Sequence, residues 1–482
     1  MSGFIGRTRE LALLDKRLRR VASASEATAV AIRGRRQVGK SRLVQEFCDR
    51  ARVPYLYFAA TKGASPVEDI AAFLGELRDS TLVRDPELVP RPETGNWPDA
   101  FRILASALPD VPAIVVLDEV PWLAEQDDLF DGALQTAWDR LLRERPVLLL
   151  LLGSDLHMME RLTAYEQPFH GRADNLVLGP LNPAETGAAL GLDGAEALDA
   201  HLVSGGLPGI LRAWPHGTPA LEFLRDECVD PASPVFGVPE TALLAEFPNP
   251  DTARRVLEAI GAGDRTHATI AATAGSRAGT LPSGTLSPVL SRLVVEKRVL
   301  AVDHPLSARP GKPALYRVAD SNLRLYLAML RAAHEQVQRG RPEAAFALIR
   351  RRWPTWRGRA IEPLVRQALE LAAFSGALPW TGTEVVGGWW NRRFNPEVDL
   401  VGADRAPVAA RLLFAGSVKW LDSPFDRHDL ADLQRTAPQV PGFDPSRSGL
   451  AVVSLSGTTA DLDLHAVGLA WSAPDLISAW VE

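Results

Sequence analysis

The segment that most constrains the fold is the sequence G-R-R-Q-V-G-K-S at residues 34–41. It follows the apolar run 29–32 and precedes a helical pattern over 42–47, which is the strand–loop–helix context of a phosphate-binding P-loop. Its glycines let backbone N–H groups turn toward a phosphate chain, and the following helix directs its positive end there. We therefore predict an ATP site in which Lys40 contacts the β- and γ-phosphates and Ser41 ligates Mg²⁺. The predicted nucleotide-binding residues are Gly34, Arg35, Arg36, Gln37, Val38, Gly39, Lys40, Ser41 and Arg42.

Length, charge and cysteine content exclude several classes of protein. The 482 residues are enough for about three or four domains. A formal net charge of −6 disfavours a protein coated with positive charge, although it is compatible with a local basic face. Cys48 and Cys228 lie far apart and lack metal-ligand spacing, which favours a reducing, cytoplasmic location. The apolar run 147–152 is too short to span a bilayer, so we expect no membrane association.

Two further apolar runs end in polar residues that suit nucleotide hydrolysis. Residues 113–117 lead into Asp118 and Glu119. At the carboxyl end of a strand, Asp118 can hold the Mg²⁺ shell and Glu119 can polarise the attacking water. The run 147–152 leads into Ser154, which either contacts the γ-phosphate and positions water or caps the next helix. A strand inserted between the P-loop strand and the acidic part of the sheet would be consistent with Glu119 as the base.

Three other segments allow two interpretations each. Residues 4–11 begin either a surface helix with charged flanks or a lid segment beside the adenine or ribose. Arg172 is a candidate arginine finger, which often acts only from a neighbouring molecule, or a structural ion-pair residue. Residues 204–209, S-G-G-L-P-G, are either a flexible turn or a hinge that reports the nucleotide state.

Together these segments resemble a known family. The matching features are Arg7-x-x-Glu10, the P-loop, Leu117-Asp118-Glu119, Gly153-Ser154, Gly171-Arg172 and Gly205-Gly206-x-Pro208. They resemble the predicted archaeal-type ATPases, which belong to the signal-transduction ATPases with numerous domains, near the AAA+ proteins. The resemblance covers roughly residues 1–240. It implies ATP binding, a helical lid after the core and nucleotide-gated signalling.

The middle of the chain has the pattern of a winged helix. Helical patterns over 252–261, 267–274 and 283–299 precede two apolar runs at 299–302 and 315–318 that frame a hairpin. The third helix of such a domain can enter the major groove of DNA, and its polar face here carries Ser287, Ser291, Arg292, Lys297 and Arg298. Arg309 and Lys312 add basic groups in the hairpin loop. DNA contact and a role in protein packing both remain open.

The last third resembles the restriction-endonuclease-like PD-(D/E)xK fold that is commonly appended to this ATPase family. A helix glutamate, Glu362, a strand aspartate, Asp399, and a strand lysine, Lys419, occur in the expected order. The acidic position two residues before Lys419 is occupied by Ser417, which departs from the family pattern. Glu397 can replace that ligand because it lies two residues before Asp399 on the same strand. The candidate site is therefore degenerate, and Mg²⁺-dependent cleavage is doubtful.

Two more patterns lie in this part of the chain. Arginines between 339 and 359 alternate with Trp353 and Trp356, which indicates either a solvated face or a grip on a nucleic-acid backbone. Residues 471–480 predict a closing helix.

The expected fold is an α/β multidomain protein. It has a P-loop NTPase core with a parallel sheet over 1–180, a helical lid over 181–245 and a winged helix-turn-helix over 246–322. A restriction-endonuclease-like α/β domain over 323–482 completes it. We expect an ATPase that uses ATP and Mg²⁺, has Glu119, Ser154 and Arg172 as catalytic residues and has Ser41 and Asp118 as metal ligands. A regulatory switch ranks before an ATP-dependent DNA nuclease and a non-catalytic scaffold, with DNA, a protein partner or a second copy as candidate partners.

Overall fold

The computed structural model describes residues 4–89, 95–163, 167, 169–247, 252–275, 279–311, 313–463 and 466–481. The chain forms two compact units, residues 1–180 and residues 181–482. Within the described ranges, no helix has both the length and the hydropathy that crossing a membrane requires.

The first unit is built on a five-stranded parallel sheet. Its strands are β1 (Thr28–Arg33), β2 (Tyr55–Ala59), β3 (Ala113–Asp118), β4 (Val147–Gly153) and β5 (Ala173–Val177). Their spatial order is β2-β3-β4-β1-β5, and every neighbouring pair is parallel. Since β4 separates the P-loop strand β1 from the acidic strand β3, the inserted strand predicted from the sequence is confirmed.

Helices surround this sheet. They are α1 (Thr8–Ala24), α2 (Lys40–Ala51), α3 (Pro66–Asp79), α4 (Trp97–Ala107), α5 (Val120–Gln126), α6 (Phe130–Ala137) and α7 (Leu156–Thr163), with a 3₁₀ turn at Pro86–Leu88 and a π turn at Trp138–Leu142. Every residue of β3 and β4 is buried, which explains why both strands are continuous apolar runs rather than alternating patterns. On one side of the sheet Phe58, Phe73 and Trp97 pack edge to face or tilted, with ring centroids 5.4–6.3 Å apart.

Parallel pairing places the polar segments at one edge of the sheet. Gly34 follows β1, Asp118 ends β3, and Ser154 follows β4. Because these three strands are parallel neighbours, their carboxyl ends meet at the same edge, where open α/β sheets bind ligands.

The second unit begins with five helices. They are α8 (Pro183–Leu190), α9 (Gly194–Ser204), α10 (Pro208–Ala213), α11 (Ala220–Glu227) and α12 (Pro234–Glu246). The Gly-Gly turn between α9 and α10 packs tightly, because a Cβ on Gly206 would lie 2.0 Å from the carbonyl oxygen of Leu181. Gly206 also has a φ of 66°, a backbone conformation that other residues rarely adopt. The turn is therefore a close backbone contact rather than a loose loop.

The next elements have the order predicted for a winged helix. They are α13 (Thr252–Ala262), α14 (His267–Thr273), α15 (Ser283–Ser291), a π turn at Arg292–Glu296, and the antiparallel strands β6 (Leu300–Asp303) and β7 (Leu315–Val318). The helix predicted over 283–299 is interrupted, since its regular α part ends at Ser291 and the N–H of Lys297 bonds back to the carbonyl of Arg292 at 3.0 Å. Lys312 lies outside the described residues.

A mixed sheet dominates the rest of the unit. The remaining helices are α16 (Ser321–Leu325), α17 (Arg331–Gln338), α18 (Pro342–Ala360), α19 (Glu362–Phe374), α20 (Arg427–Thr436) and α21 (Ala473–Ser478), with a π turn at Tyr326–Leu330 and a 3₁₀ turn at Ala437–Gln439. The strands are β8 (Val385–Trp390), β9 (Glu397–Ala403), β10 (Leu412–Lys419), β11 (Gly449–Ser454) and β12 (Leu469–Trp471). The sheet order is β12-β11-β10-β9-β8, in which β8, β9 and β10 are antiparallel and β10, β11 and β12 are parallel.

Two features of this unit differ from what the sequence predicts. The helix predicted over 471–480 begins later, because Trp471 ends a strand and Ser472 caps the helix through a capping box with Asp475. Helix α9, in the predicted lid, contributes Leu198 and Leu202 to the hydrophobic core of the C-terminal sheet. The predicted lid therefore shares a core with the C-terminal domain.

Candidate functional site

The P-loop has the backbone shape that a phosphate site requires. Gly39 has a φ of 91° and immediately precedes α2, so the helix begins at Lys40. Gly34 cannot carry a side chain, since a Cβ there would lie 2.4 Å from the carbonyl oxygen of Leu178. Val38 is buried, whereas Arg36, Gln37 and the neighbouring Ser41 are exposed. The donor-rich, glycine-shaped loop at a helix N-terminus therefore fits a phosphate chain.

Two arginines beside the loop have partners of their own. Arg42, which we predicted to contact the nucleotide, pairs with Glu46 at 2.9 Å on the exposed side of α2. Arg7 is buried and donates to the carbonyl of Val38 at 3.0 Å and to that of Gly179 at 2.6 Å. Arg7 therefore supports the P-loop backbone, and the lid role proposed for residues 4–11 stays a prediction.

Lys40 lies in contact with the P-loop backbone. Its Nζ donates to the carbonyl oxygens of Gly34 at 2.7 Å and Arg35 at 3.2 Å. Burial lowers the pKa of Lys40, and the nearby carboxylates of Glu119 and Asp118 act in the opposite direction. The predicted P-loop lysine and the two predicted acids therefore form one electrostatic cluster.

Asp118 is buried at the end of β3 and has two donors. The Tyr57 hydroxyl donates to one carboxylate oxygen at 2.6 Å, and the backbone N–H of Glu119 donates to the other at 2.9 Å. Burial raises the pKa of Tyr57, as does the Asp118 carboxylate, while a hydrogen bond with the Ser41 side chain acts in the opposite direction. The Tyr57 hydroxyl consequently connects Ser41 and Asp118, the two residues predicted to ligate Mg²⁺.

Sequence analysis missed Tyr57. The available signal was a polar-tipped aromatic residue within the largely apolar segment 54–60. The Tyr57 hydroxyl reaches Asp118 because β2 pairs with β3 so that Tyr57 lies opposite Val116.

We predict that Tyr57→Phe raises the Mg²⁺ concentration needed for half-maximal ATP hydrolysis by about 10-fold, because residues that orient a metal ligand typically affect metal affinity by 10- to 100-fold. Nucleotide binding without Mg²⁺ should change little. Tyr55→Phe, two residues earlier on the same strand, is the matched control. An unchanged Mg²⁺ dependence in Tyr57→Phe would show that this hydroxyl only fills space.

Glu119 and Ser154 lie in direct contact. The Ser154 hydroxyl donates to Oε2 of Glu119 at 2.9 Å, and the Ser154 backbone N–H approaches the same oxygen at 3.3 Å. Glu119 has a φ of 57°, an uncommon backbone conformation for a residue other than glycine, and immediately precedes α5. The structure thus brings together the predicted base and the predicted sensor residue, and Oε1 of Glu119 is left as the oxygen that can face a water.

Within its own chain, Arg172 lies far from the P-loop. It precedes β5, whose first residue pairs with Ala29 at the amino end of β1, so a full strand length of about 15 Å separates it from the P-loop. Its guanidinium binds both carboxylate oxygens of Asp139, at 2.9 and 2.8 Å. Within its own chain Arg172 is therefore an ion-pair residue, and action as a finger on the nucleotide of a neighbouring molecule stays a prediction.

The nuclease-like residues do not assemble as predicted. Asp399 accepts hydrogen bonds from the Val418 backbone N–H at 2.8 Å and the Ser417 hydroxyl at 3.1 Å. Lys419 pairs with Asp429 at 2.6 Å rather than with Asp399, and Glu397 is exposed. Over the described ranges, no group of three His, Cys, Asp or Glu residues is arranged to hold a metal ion.

The charges around Asp399 also disfavour a divalent cation. Arg366 donates to the backbone carbonyl of Asp399 at 2.9 Å and to the Glu362 carboxylate at 3.3 Å, which places a guanidinium beside both residues. Burial raises the pKa of both Asp399 and Glu362, which favours the neutral carboxyl form of each. Positive charge and neutral carboxyl groups both disfavour Mg²⁺ here, because proteins normally hold this ion through ionised carboxylates.

We therefore predict that purified protein does not nick supercoiled plasmid with Mg²⁺ or Mn²⁺ above the background of an Asp399→Ala variant. Agarose gel electrophoresis of the plasmid measures the result. Nicking by the wild type that disappears in Asp399→Ala would contradict this prediction and restore the nuclease assignment.

Comparisons with known proteins agree with the architecture. The family model described as "AAA ATPase domain" matches residues 3–153, and the one described as "Archaea bacterial proteins of unknown function" matches residues 326–430. A comparison with curated proteins gives no match.

Several solved structures are similar over most of their own length. A Walker-type ATPase of Pyrococcus abyssi is 19% identical with a TM-score of 0.47, covering 67% of this chain and 96% of that chain. Cdc6p from Pyrobaculum aerophilum is 14% identical with a TM-score of 0.33, covering 70% and 97%. The Orc1 protein of Aeropyrum pernix, solved in complex with DNA, is 18% identical with a TM-score of 0.35, covering 72% and 96%. The two family models alone identify residues 3–153 as an AAA ATPase domain and residues 326–430 as a segment of the family of archaeal and bacterial proteins of unknown function.

Proposed function

We propose that this chain binds and hydrolyses ATP with Mg²⁺ and that its nucleotide state acts as a regulatory switch. The observation that supports this most is the convergence of Lys40, Asp118 and Glu119 at the carboxyl edge of the sheet, beside the glycine-shaped P-loop. Each element of the chemistry is present in one unit: phosphate donors, a buried carboxylate and a second carboxylate next to it.

The P-loop residues have defined tasks in this proposal. ATP with Mg²⁺ supplies the γ-phosphoryl group and the positive charge that stabilises its oxygens. Lys40 exchanges its bonds to the Gly34 and Arg35 carbonyls for bonds to phosphate oxygens, which are stronger acceptors because they are charged. Ser41 and Asp118 would hold Mg²⁺, and Tyr57 orients Asp118 through its short hydrogen bond.

Glu119 is the proposed base. Its Oε2 is fixed by Ser154, so the carboxylate keeps one orientation and Oε1 can accept a proton from water. Ser154 follows β4, directly beside the acidic strand, and is placed to link this orientation to the γ-phosphate. Ser154 is therefore a positioning residue, whereas Glu119 acts on the water itself.

The deciding experiment measures phosphate release from Mg-ATP by the full chain, with and without duplex DNA. We expect turnover that requires Mg²⁺. The switch is tested separately by limited proteolysis of residues 181–482 in the presence of ATP or ADP, which should give different patterns. ATP binding with no turnover under either condition would favour the non-catalytic scaffold, and identical patterns would contradict the switch.

DNA association is a second candidate function, favoured by the surface of the third helix of the winged-helix region. Ser287, Ser291 and Arg292 are exposed along it, while Leu286 and Leu290 are buried on the opposite side. This is the arrangement of a helix that presents a polar face to a groove. In a gel-shift assay, Arg292→Ala should weaken DNA binding and reduce its salt dependence if this face contacts phosphates. An unchanged salt slope would instead favour a protein-packing role.

A further inference from the structure

The second unit contains a cavity of about 670 Å³ that the ATPase chemistry does not use. Its lining comes from α13, the β6–β7 hairpin, the π turn before α17, and helices α17, α18 and α19. Ligand pockets for small molecules commonly have volumes of about 300–1,000 Å³, so the size fits a compact ligand.

The lining is strongly positive. Eight arginines and four carboxylic acids line the cavity. Three of the arginines are paired with acids: Arg317 with Asp303 at 3.1 Å, Arg331 with Glu258, and Arg366 with Glu362. Across the described residues, the other five have no carboxylate within salt-bridge distance: Arg265, Arg324, Arg351, Arg352 and Arg359.

Two residues that line the cavity, Arg324 and Trp356, have polar groups that are shielded from solvent. The pKa of Arg324 is lowered to about 10, mainly by burial and next by the neighbouring Arg317, while Glu362 acts in the opposite direction. The indole N–H of Trp356 is buried and has no hydrogen-bond acceptor among the described residues. Buried polar groups in proteins normally have partners, so this donor can be satisfied by a ligand acceptor.

Trp353, which packs beside Trp356, is not available for stacking on nucleic-acid bases. Trp353 is buried, and its ring packs against that of Trp356 with centroids 5.5 Å apart. The interleaved arginines and tryptophans of α18 therefore do not form the open aromatic platform that grips a single strand. They form one wall of a concave site.

We infer that this cavity binds a small phosphorylated molecule that also has an apolar or aromatic part. Guanidinium groups recognise phosphate through paired hydrogen bonds, and a polyanion would relieve the mutual repulsion of the arginines that have no carboxylate partner. Convergence of helices and a hairpin around one space favours a compact ligand over an extended nucleic-acid strand. The inference does not depend on ATP hydrolysis, because the cavity and the P-loop are formed by different residues.

Isothermal titration calorimetry with inorganic tripolyphosphate tests the site in the full chain. We expect Lys40→Ala protein, in which the P-loop is impaired, to retain one binding event. Adding Arg351→Gln to that protein should weaken the remaining dissociation constant by about 10-fold, since charge-assisted hydrogen bonds contribute strongly. Arg351 is exposed and, in the part of the chain that the structure describes, forms no salt bridge, so the variant should fold, and its melting temperature checks this.

Arg435→Gln in the same Lys40→Ala background is the matched control, because Arg435 is also an exposed helix arginine but lies outside the cavity. It should leave tripolyphosphate binding unchanged. The inference is overturned if Lys40→Ala protein binds no tripolyphosphate, or if Arg351→Gln and Arg435→Gln bind it equally. It is also overturned, in favour of a nucleic-acid groove, if a single-stranded oligonucleotide binds more tightly than tripolyphosphate and loses that affinity in Arg351→Gln. If residues 34–41 do not bind phosphate, the wild type and the Lys40→Ala variant should bind tripolyphosphate identically. That outcome differs from a cavity that does not bind it.

Discussion

Glu119→Gln is expected to reduce ATP turnover by at least about 10²-fold, because a positioned general base typically contributes 10²- to 10⁴-fold to a rate. The amide keeps the size of the side chain and can still accept a hydrogen bond from Ser154, whose hydroxyl now donates to Oε2 at 2.9 Å. It cannot accept a proton from water at neutral pH. ATP affinity should therefore remain close to that of the wild type, since the Glu119 side chain is hydrogen-bonded to Ser154 rather than to the P-loop among the described residues.

Single-turnover phosphate release and equilibrium binding of a fluorescent ATP analogue measure the two effects separately. Glu125→Gln is the matched control, because Glu125 is an exposed acid on the same helix, α5. Normal hydrolysis by Glu119→Gln would show that another group activates the water. A loss of binding with no separate loss of turnover would show instead that Glu119 serves the site's structure.

The second large effect is expected for Lys40→Ala, which should weaken ATP binding by about 10- to 100-fold, as a charged hydrogen-bonding group typically contributes about 1.5–3 kcal/mol. Lys40 interacts electrostatically with both acids of the site, so its removal also takes away a positive charge that balances Asp118 and Glu119. Mg-ATP should be affected more than ADP because the lysine is expected to contact the β- and γ-phosphates.

Equilibrium binding of ATP and ADP measures this difference. Lys16→Ala, at an exposed lysine of α1, controls for the loss of one positive charge. If Lys40→Ala and the wild type bind ATP with equal affinity, residues 34–41 are not the phosphate site.

The C-terminal domain has a recognisable nuclease-like order of residues, but the charges around those residues do not suit a metal ion. The order of Glu362, Asp399 and Lys419 matches that of a nuclease, and the β9–β10 pairing does bring Asp399 next to Ser417. Lys419, however, is held by Asp429, and Arg366 occupies the space beside Asp399 and Glu362. With positive charge already built in, the region is better suited to binding an anion than to binding a metal.

Local sequence was enough to establish the ATPase core. The P-loop, the buried strands and the acids at 118 and 119 are contiguous motifs whose neighbours in the chain determine their conformation. Parallel pairing of continuous apolar strands then leaves one edge where their polar ends can meet. The inserted strand β4 and the contact between Ser154 and Glu119 follow from this arrangement.

Only the tertiary structure decided which distant side chains meet. The sequence leaves Arg172 as either an arginine finger or a structural ion-pair residue, whereas in the folded chain it lies at the opposite edge of the sheet from the P-loop and pairs with Asp139. Tyr57 looked like a plain core residue until β2 paired with β3, and the arginine-lined cavity combines residues from 258 to 366 that no local pattern connects. Motifs encode geometry over a few residues, whereas hydrogen bonds and charge pairs between remote segments depend on strand register and helix packing, which the whole chain determines.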